Sequence, residues 1–148
     1  MKSVHLASED DADRVLPLVA AFHAERGLDS DGDARLEAVA PLLAGSQLGA
    51  IWLIGPRRAP VGYIAVTFGW SISRGGMTGT IDEIYVRPAV RRRGMGSEAL
   101  DSICRAMREA GLVSLSFDSG ADEDRLHAFA RRARFAPGTD RLTLRRAL

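Results

Sequence analysis

Lysine and cysteine are almost missing from this sequence: Lys2 is the only lysine and Cys104 the only cysteine. A single thiol closes no disulfide within the chain. Cys104 falls on the apolar stripe of an expected helix, where a thiol behaves as a small hydrophobe. With so little lysine nearly every cation is an arginine, which a codon bias of the source genome accounts for, because the two side chains diverge physically only at bidentate or stacked sites. No run approaches the ~20 apolar residues that span a bilayer. Met1 to Ala7 lacks the long apolar segment of a secretory signal, so the expectation is a cytoplasmic protein without membrane contact. An excess of one charge is also lacking. A net charge of +1 over 148 residues excludes the strong basic footprint of a dedicated nucleic-acid binder. His5, His23 and His127 are too scattered to suggest a catalytic pair, and no Cys/His ligand spacing occurs, so no metal is expected.

What is present is the balance of a globular domain: 46% hydrophobic and 26% charged residues, in a length that fits one domain, 1–148. Ser3 to Ala7 reads as a first strand, and Ser8 with Asp11 three residues on offers a helix cap. Val15, Leu18, Val19 and Phe22 share one helical face, Gly27 stands where a left-handed cap is wanted, and Pro17 inside this pattern predicts a kink or a late start. Leu36, Val39, Leu42 and Leu43 mark a second helix ending near Gly45. Gly49–Ile54 and Val61–Phe68 form a hairpin pattern, Ser71–Gly79 reads as a flexible glycine-containing stretch, and Thr80–Val86 is a strand. Leu100, Ile103, Cys104 and Met107 give a helical stripe closed by Gly111, followed by a strand at Val113–Phe117. A helix at about Asp124–Arg134 and a final strand at Arg141–Leu148 complete the order. The pattern implies an α/β sheet covered by helices, in which Thr80–Val86, its helix and Val113–Phe117 make a parallel, right-handed β-α-β unit.

The most informative stretch joins that strand to that helix: Val86-Arg87-Pro88-Ala89-Val90-Arg91-Arg92-Arg93-Gly94-Met95-Gly96-Ser97. The first N–H groups of a helix have no intrahelical partner and carry the positive end of the macrodipole, so an approachable N-terminus binds phosphate. Gly94 and Gly96 remove side chains that would block the approach, and Arg91, Arg92 and Arg93 add charge-assisted donors. The spacing is not a Walker loop, and Ala99 takes the third glycine position of a dinucleotide loop, so nucleoside triphosphates and NAD are disfavoured.

Arg91-x-x-Gly94-x-Gly96, preceded by Val86-Arg87-Pro88 on a strand and followed by an amphipathic helix, resembles the coenzyme A loop of the GNAT superfamily of N-acetyltransferases. The order of elements is similar to that fold along most of the chain. The resemblance implies an α/β (α+β) architecture: a mixed central sheet of six to seven strands, about four flanking helices, and a splayed parallel strand pair. It implies acetyl-CoA as co-substrate, with Ile84, Tyr85 and Val86 along the pantetheine arm and N–H groups of Arg92, Arg93, Gly94, Met95, Gly96 and Ser97 on the pyrophosphate. The implied reaction moves an acetyl group to the primary amine of a small, cationic or peptide acceptor. Superfamily habit and a terminal strand able to extend a sheet suggest a homodimer.

Acetyl transfer to an amine needs a base for the nucleophile and a proton for the leaving thiolate. Glu83 is the favoured base, directly or through a water, with Asp82 second. Side chains alternate along a strand, so only one of them faces the cleft unless a bulge intervenes. Family members commonly carry a tyrosine acid in a Phe-Tyr-x-x-x-Gly-Phe pattern. Here Phe129 and Phe135 match, but Ala130 holds the tyrosine position and Arg134 the glycine position. Tyr85 and Tyr63 remain as donors, Arg131 and Arg132 as partners for the 3′-phosphate, and Tyr63, Phe68 and Trp70 as an acceptor wall. The absent tyrosine also leaves open a coenzyme A-binding module with weak or no catalysis.

Overall fold

The computed structural model describes residues 4–118, 124–138 and 143–148. Its elements run β1 (Val4–Leu6), α1 (Ala12–Glu25), α2 (Gly32–Leu43), β2 (Gly49–Ile54), β3 (Gly62–Ser71), β4 (Gly76–Val86), α3 (Met95–Glu109), β5 (Ser114–Phe117) and α4 (Asp124–Arg132). The strands form one sheet in the order β1-β2-β3-β4-β5, antiparallel except for the parallel β4–β5 pair.

Period-two alternation sorts the strand residues to two cores. Ile51, Leu53, Tyr63 and Ala65 face Val15, Leu18 and Val19 of α1 and Val39 and Leu43 of α2. Ile54, Ile64 and Val66 face Leu100, Ile103 and Met107 of α3. The sheet is therefore buried on both sides, which is why its central strands read as continuous apolar runs.

Local signals placed the ends of α1. The Ser8 amide donates to the Asp11 carboxylate at 2.9 Å, and a 3-10 turn at Glu9–Asp11 leads into the helix. The helix runs unbroken through exposed Pro17, so its start is early. At the other end Gly27 takes φ +66, and the Leu28 amide closes onto the His23 carbonyl at 2.8 Å. That closure folds the chain back beside the last turn of α1.

Two expectations are corrected. The sheet has five strands among the described residues, not six to seven. Of the expected last strand, residues 143–148 form none and are exposed throughout, while 141 and 142 lie outside the described residues. Arg145 and Arg146 interrupt the few apolar residues there, and Leu144, 85% exposed, buries nothing. The stretch read as flexible, Ser71–Gly79, is instead mostly strand, with Ser71 opposite Gly76 across a four-residue turn. Gly76 and Gly79 serve close approach: a Cβ on Gly79 would stand 3.0 Å from both Leu112 and Leu115.

Candidate active site

Strand β4 positions the site by breaking its own regularity. Ala65 pairs with Glu83 but Val66 pairs with Ile81, so Asp82 is an extra residue in a bulge. The bulge lifts the alternation rule, and both Asp82 and Glu83 line one cleft of about 1360 Å³. Just there β5 stops. The parallel pair ends at Ile81 and Phe117, and beyond it β4 keeps β3 on one side and has no β5 partner on the other. The cleft occupies this gap, with Ile81 to Val86 on one wall and Phe117 and Asp118 on the other.

At the far end of β4 the arginine-glycine loop reaches the N-terminus of α3. Gly94 takes φ +79 as the cap, a left-handed conformation that glycine adopts without strain. Gly96 serves a different need: a Cβ there would stand 3.3 Å from the Phe129 ring of α4. The first backbone bond into α3 is Glu98 N–H to the Gly94 carbonyl at 3.0 Å. Among the described residues no N–H from Arg92 to Ser97 donates within the protein.

The expected site residues do not all share one role. Ile84, Tyr85, Val86, Arg91, Arg92, Gly94, Met95, Gly96 and Ser97 all line the cleft, whereas Arg93 is exposed outside it. Arg91 is bolted in place. Its Nη2 donates to both carboxylate oxygens of Glu25 at 2.7 and 2.9 Å, its Nε donates to the Val86 carbonyl at 2.8 Å, and its guanidinium lies 5.6 Å from the Tyr85 ring centroid. It thereby ties the loop to α1. On α4 the cleft face carries Arg125, Leu126, Phe129 and Arg132, and Arg131 points elsewhere. Ala130 is also off the cleft lining.

Glu83 is held from two sides. Its Oε1 accepts from the Tyr63 hydroxyl at 2.8 Å, and its Oε2 stands 2.8 Å from His23 Nε2. In the sequence His23 reads as one of three scattered histidines, and its partner lies 60 positions away; its place in the last turn of α1, beside Gly27, is the available signal. Burial, then the charge and hydrogen bond of Glu83, push the Tyr63 hydroxyl far above the usual tyrosine range. Tyr63 is fully buried and off the cleft lining, which removes it from the acceptor wall and from the proton donors that reach the cleft. Trp70 stands 71% exposed at the opposite end of β3, also away from the cleft. Asp82 makes no hydrogen bond among the described residues. Partial burial on the cleft wall, then the neighbouring Glu83 charge, raise its carboxyl above the ordinary 3.8, with His23 acting in the other direction.

The arrangement is a slot with free amides at one end, an unpaired strand edge along its length, and two carboxylates at the other end. Such a slot suits an extended ligand with a diphosphate head and an amide-bearing arm. Comparison with known proteins gives the family. The profile of the acetyltransferase (GNAT) family matches residues 18–135. An integron cassette protein from the mobile metagenome of Cole Harbour Salt Marsh is 32% identical, with 99% of this chain and 90% of that chain covered and a TM-score of 0.87. Two more distant structures share the fold. A ribosomal-protein-alanine N-acetyltransferase from Brucella melitensis biovar Abortus 2308 is 17% identical, with 97% and 99% covered and a TM-score of 0.77. An aminoglycoside acetyltransferase from an uncultured soil metagenomic sample is 16% identical, with 98% and 95% covered and a TM-score of 0.83. No curated protein sequence gives a significant match. Members of the matched family use acetyl-CoA as co-substrate. With that profile covering most of its length, this chain belongs to the acetyltransferase (GNAT) family.

Proposed function

We propose that the protein is an N-acetyltransferase that moves an acetyl group from acetyl-CoA to the primary amine of a small, cationic acceptor. The observation that carries this reading is the run of undonated N–H groups from Arg92 to Ser97, opening into a cleft that ends at Asp82 and Glu83. The co-substrate supplies an activated thioester carbonyl; the rest falls to the chain. The amides of Arg92 to Ser97 hold the diphosphate, with the α3 macrodipole behind them. The open edge of β4 at 82–86 offers backbone donors and acceptors to the amide-bearing arm, and Phe129 and Leu126 of α4 cover it. Arg125 and Arg132, rather than Arg131, stand where a further phosphate would lie.

At the other end an acceptor ammonium is drawn to Asp82 and Glu83. A carboxylate removes its proton, directly or through a water, and the neutral nitrogen attacks the carbonyl carbon. The C–N bond forms as the C–S bond breaks, the attacking nitrogen gives up its second proton to solvent, and the departing thiolate takes up one proton. Tyr85, on the cleft wall, and solvent are the donors left by Ala130. A thiolate is a stable leaving group, so a missing acid slows this step without forbidding it.

The second reading, a coenzyme A-binding module with little turnover, draws on Ala130. Calorimetry with acetyl-CoA and turnover with a panel of amines test both. Saturable binding with amine-dependent thiol release is expected. Ligand at 100 times its Kd stabilises the fold by about 2.7 kcal/mol. Binding without release across pH 6 to 9 leaves the module, and no binding refutes both.

A further inference from the structure

Behind Glu83 runs a hydrogen-bonded chain that leads away from the cleft. His23 Nε2 meets Glu83 Oε2 at 2.8 Å, His23 Nδ1 meets Ser30 Oγ at 2.9 Å, and Arg35 Nη1 donates to Ser30 Oγ at 3.1 Å and to the Ser30 carbonyl. A carboxylate only accepts, so Nε2 carries the proton of its bond; Nδ1 shares the second hydrogen bond with the Ser30 hydroxyl, whose oxygen accepts from Arg35. Tyr63 closes the other side of Glu83 at 2.8 Å.

The placement of this chain argues against a merely structural role. His23 and Tyr63 stand behind Glu83, outside the cleft lining, while Glu83 itself lines the cleft. Their side chains are well covered, His23 17% exposed and Glu83 21%. An ordinary solvated carboxylate on a strand needs no such backing, and apolar side chains of similar volume would fill the space at no loss of stability. What the chain adds is direction. With one donor on each oxygen, the carboxylate plane cannot rotate, and its remaining lone pairs keep a fixed bearing on the cleft, as a group acting on a reacting atom must. The bulge then leaves the adjacent Asp82 carboxylate with no donor among the described residues and free to follow the acceptor.

We propose that His23 is a positioning residue for acetyl transfer, fixing Glu83 against the cleft through an Arg35–Ser30–His23 chain, while unanchored Asp82 meets the acceptor's ammonium. The proposal rests on the N-acetyltransferase reading above.

Steady-state kinetics with acetyl-CoA and the best amine of the panel test it, on wild type, His23→Ala, His23→Gln, Glu83→Gln and the double variant His23→Ala/Glu83→Gln. Loss of alignment lowers kcat 10- to 100-fold in H23A with KM for acetyl-CoA unchanged. H23Q, which keeps a donor toward Glu83, recovers a large part of that loss. In the double variant H23A adds little to E83Q, because both remove one arrangement. Nitrogen NMR of the His23 ring supplies a readout independent of turnover, with Nε2 protonated at neutral pH in the wild type. Wild-type kcat in H23A, an effect that multiplies with E83Q, or an unprotonated Nε2 overturns the proposal and leaves the acetyltransferase reading standing. If the wild type turns over no amine, that reading falls, and a protonated Nε2 then marks the chain as structural only. If H23A does not fold, H23Q and E83Q decide by the same kcat and NMR criteria.

Discussion

Two neighbouring carboxylates on one strand meet different surroundings because the backbone adds a residue between their partners. Glu83 stays in register opposite Ala65 and inherits donors from β3 and α1, whereas the bulged Asp82 carboxylate inherits none among the described residues. The consequence for Asp82 is electrostatic. Above pH 3.8 the unfolded chain has given up this proton while the folded chain still holds it, since the folded value is raised. In that window the folded state binds more protons, so the stability contributed by the site falls as pH rises through it. Asp82→Asn has no proton to lose. Its denaturant midpoint is expected to match the wild type below pH 3.8 and to move ahead of it as pH rises to neutrality. The gap is modest, because Asp82 is only partly buried and solvent screens its repulsion with Glu83. A gap that stays constant with pH, or that favours the wild type at neutrality, contradicts this account.

At the scale of elements, the loop-to-helix junction uses two glycines for two physical reasons, and substitutions separate them. A Cβ on Gly94 meets nothing within 4 Å, so Gly94→Ala is charged only for φ +79 and costs about 1 kcal/mol. A valine at 96 drives into the Phe129 ring that already stands 3.3 Å from a Cβ, and overpacking of this kind costs about 1–3 kcal/mol. Trimming the obstacle with Phe129→Leu is expected to relieve Gly96→Val and to add independently to Gly94→Ala. Denaturant midpoints of the three variants and two pairs check this, and additivity in both pairs refutes the packing role of Gly96. The sequence showed both glycines and the helix they open, because helix caps and 3.6-residue periodicity are written locally. It could not separate their roles, since Phe129 approaches from α4. The same limit explains the other misses. Glycines 76 and 79 read as flexibility and serve close approach to Val113, Leu112 and Leu115. His23 read as a stray histidine and meets Glu83 across two elements. Arg134 occupies the glycine position of the family pattern, and it keeps the left-handed conformation, φ +67, that a glycine there would take freely.

Across the whole molecule, one sheet divides two apolar cores, and the cleft opens where β4 outruns β5. The walls of that cleft are unequal. β4 is braced by β3 over its full length, with Tyr63, Ile64, Ala65 and Val66 buried beneath the pairing. The opposite wall includes α4, which among the described residues reaches the body chiefly through the Phe129 ring against Gly96 and, just past its end, buried Ala133. Elements held by few apolar contacts open locally, at a free energy below that of global unfolding. On the function proposed above, coenzyme A in the slot bridges both walls, which Arg125, Phe129 and Arg132 line on the α4 side, so local opening of α4 would break its contacts there. Hydrogen exchange separates this from simple stabilisation. Amides at the centre of β3, which exchange through global unfolding, slow with ligand as the linkage relation requires, by about 100-fold at 100 times Kd. Amides of α4 slow to a comparable extent only if opening the helix releases the ligand. Strong protection of both α4 and β3 is the expected result, with the exposed turn at 72–75 unchanged. Protection of β3 without α4 would place the ligand on the β4 wall and the α3 N-terminus alone, and would remove Arg125 and Arg132 from its recognition.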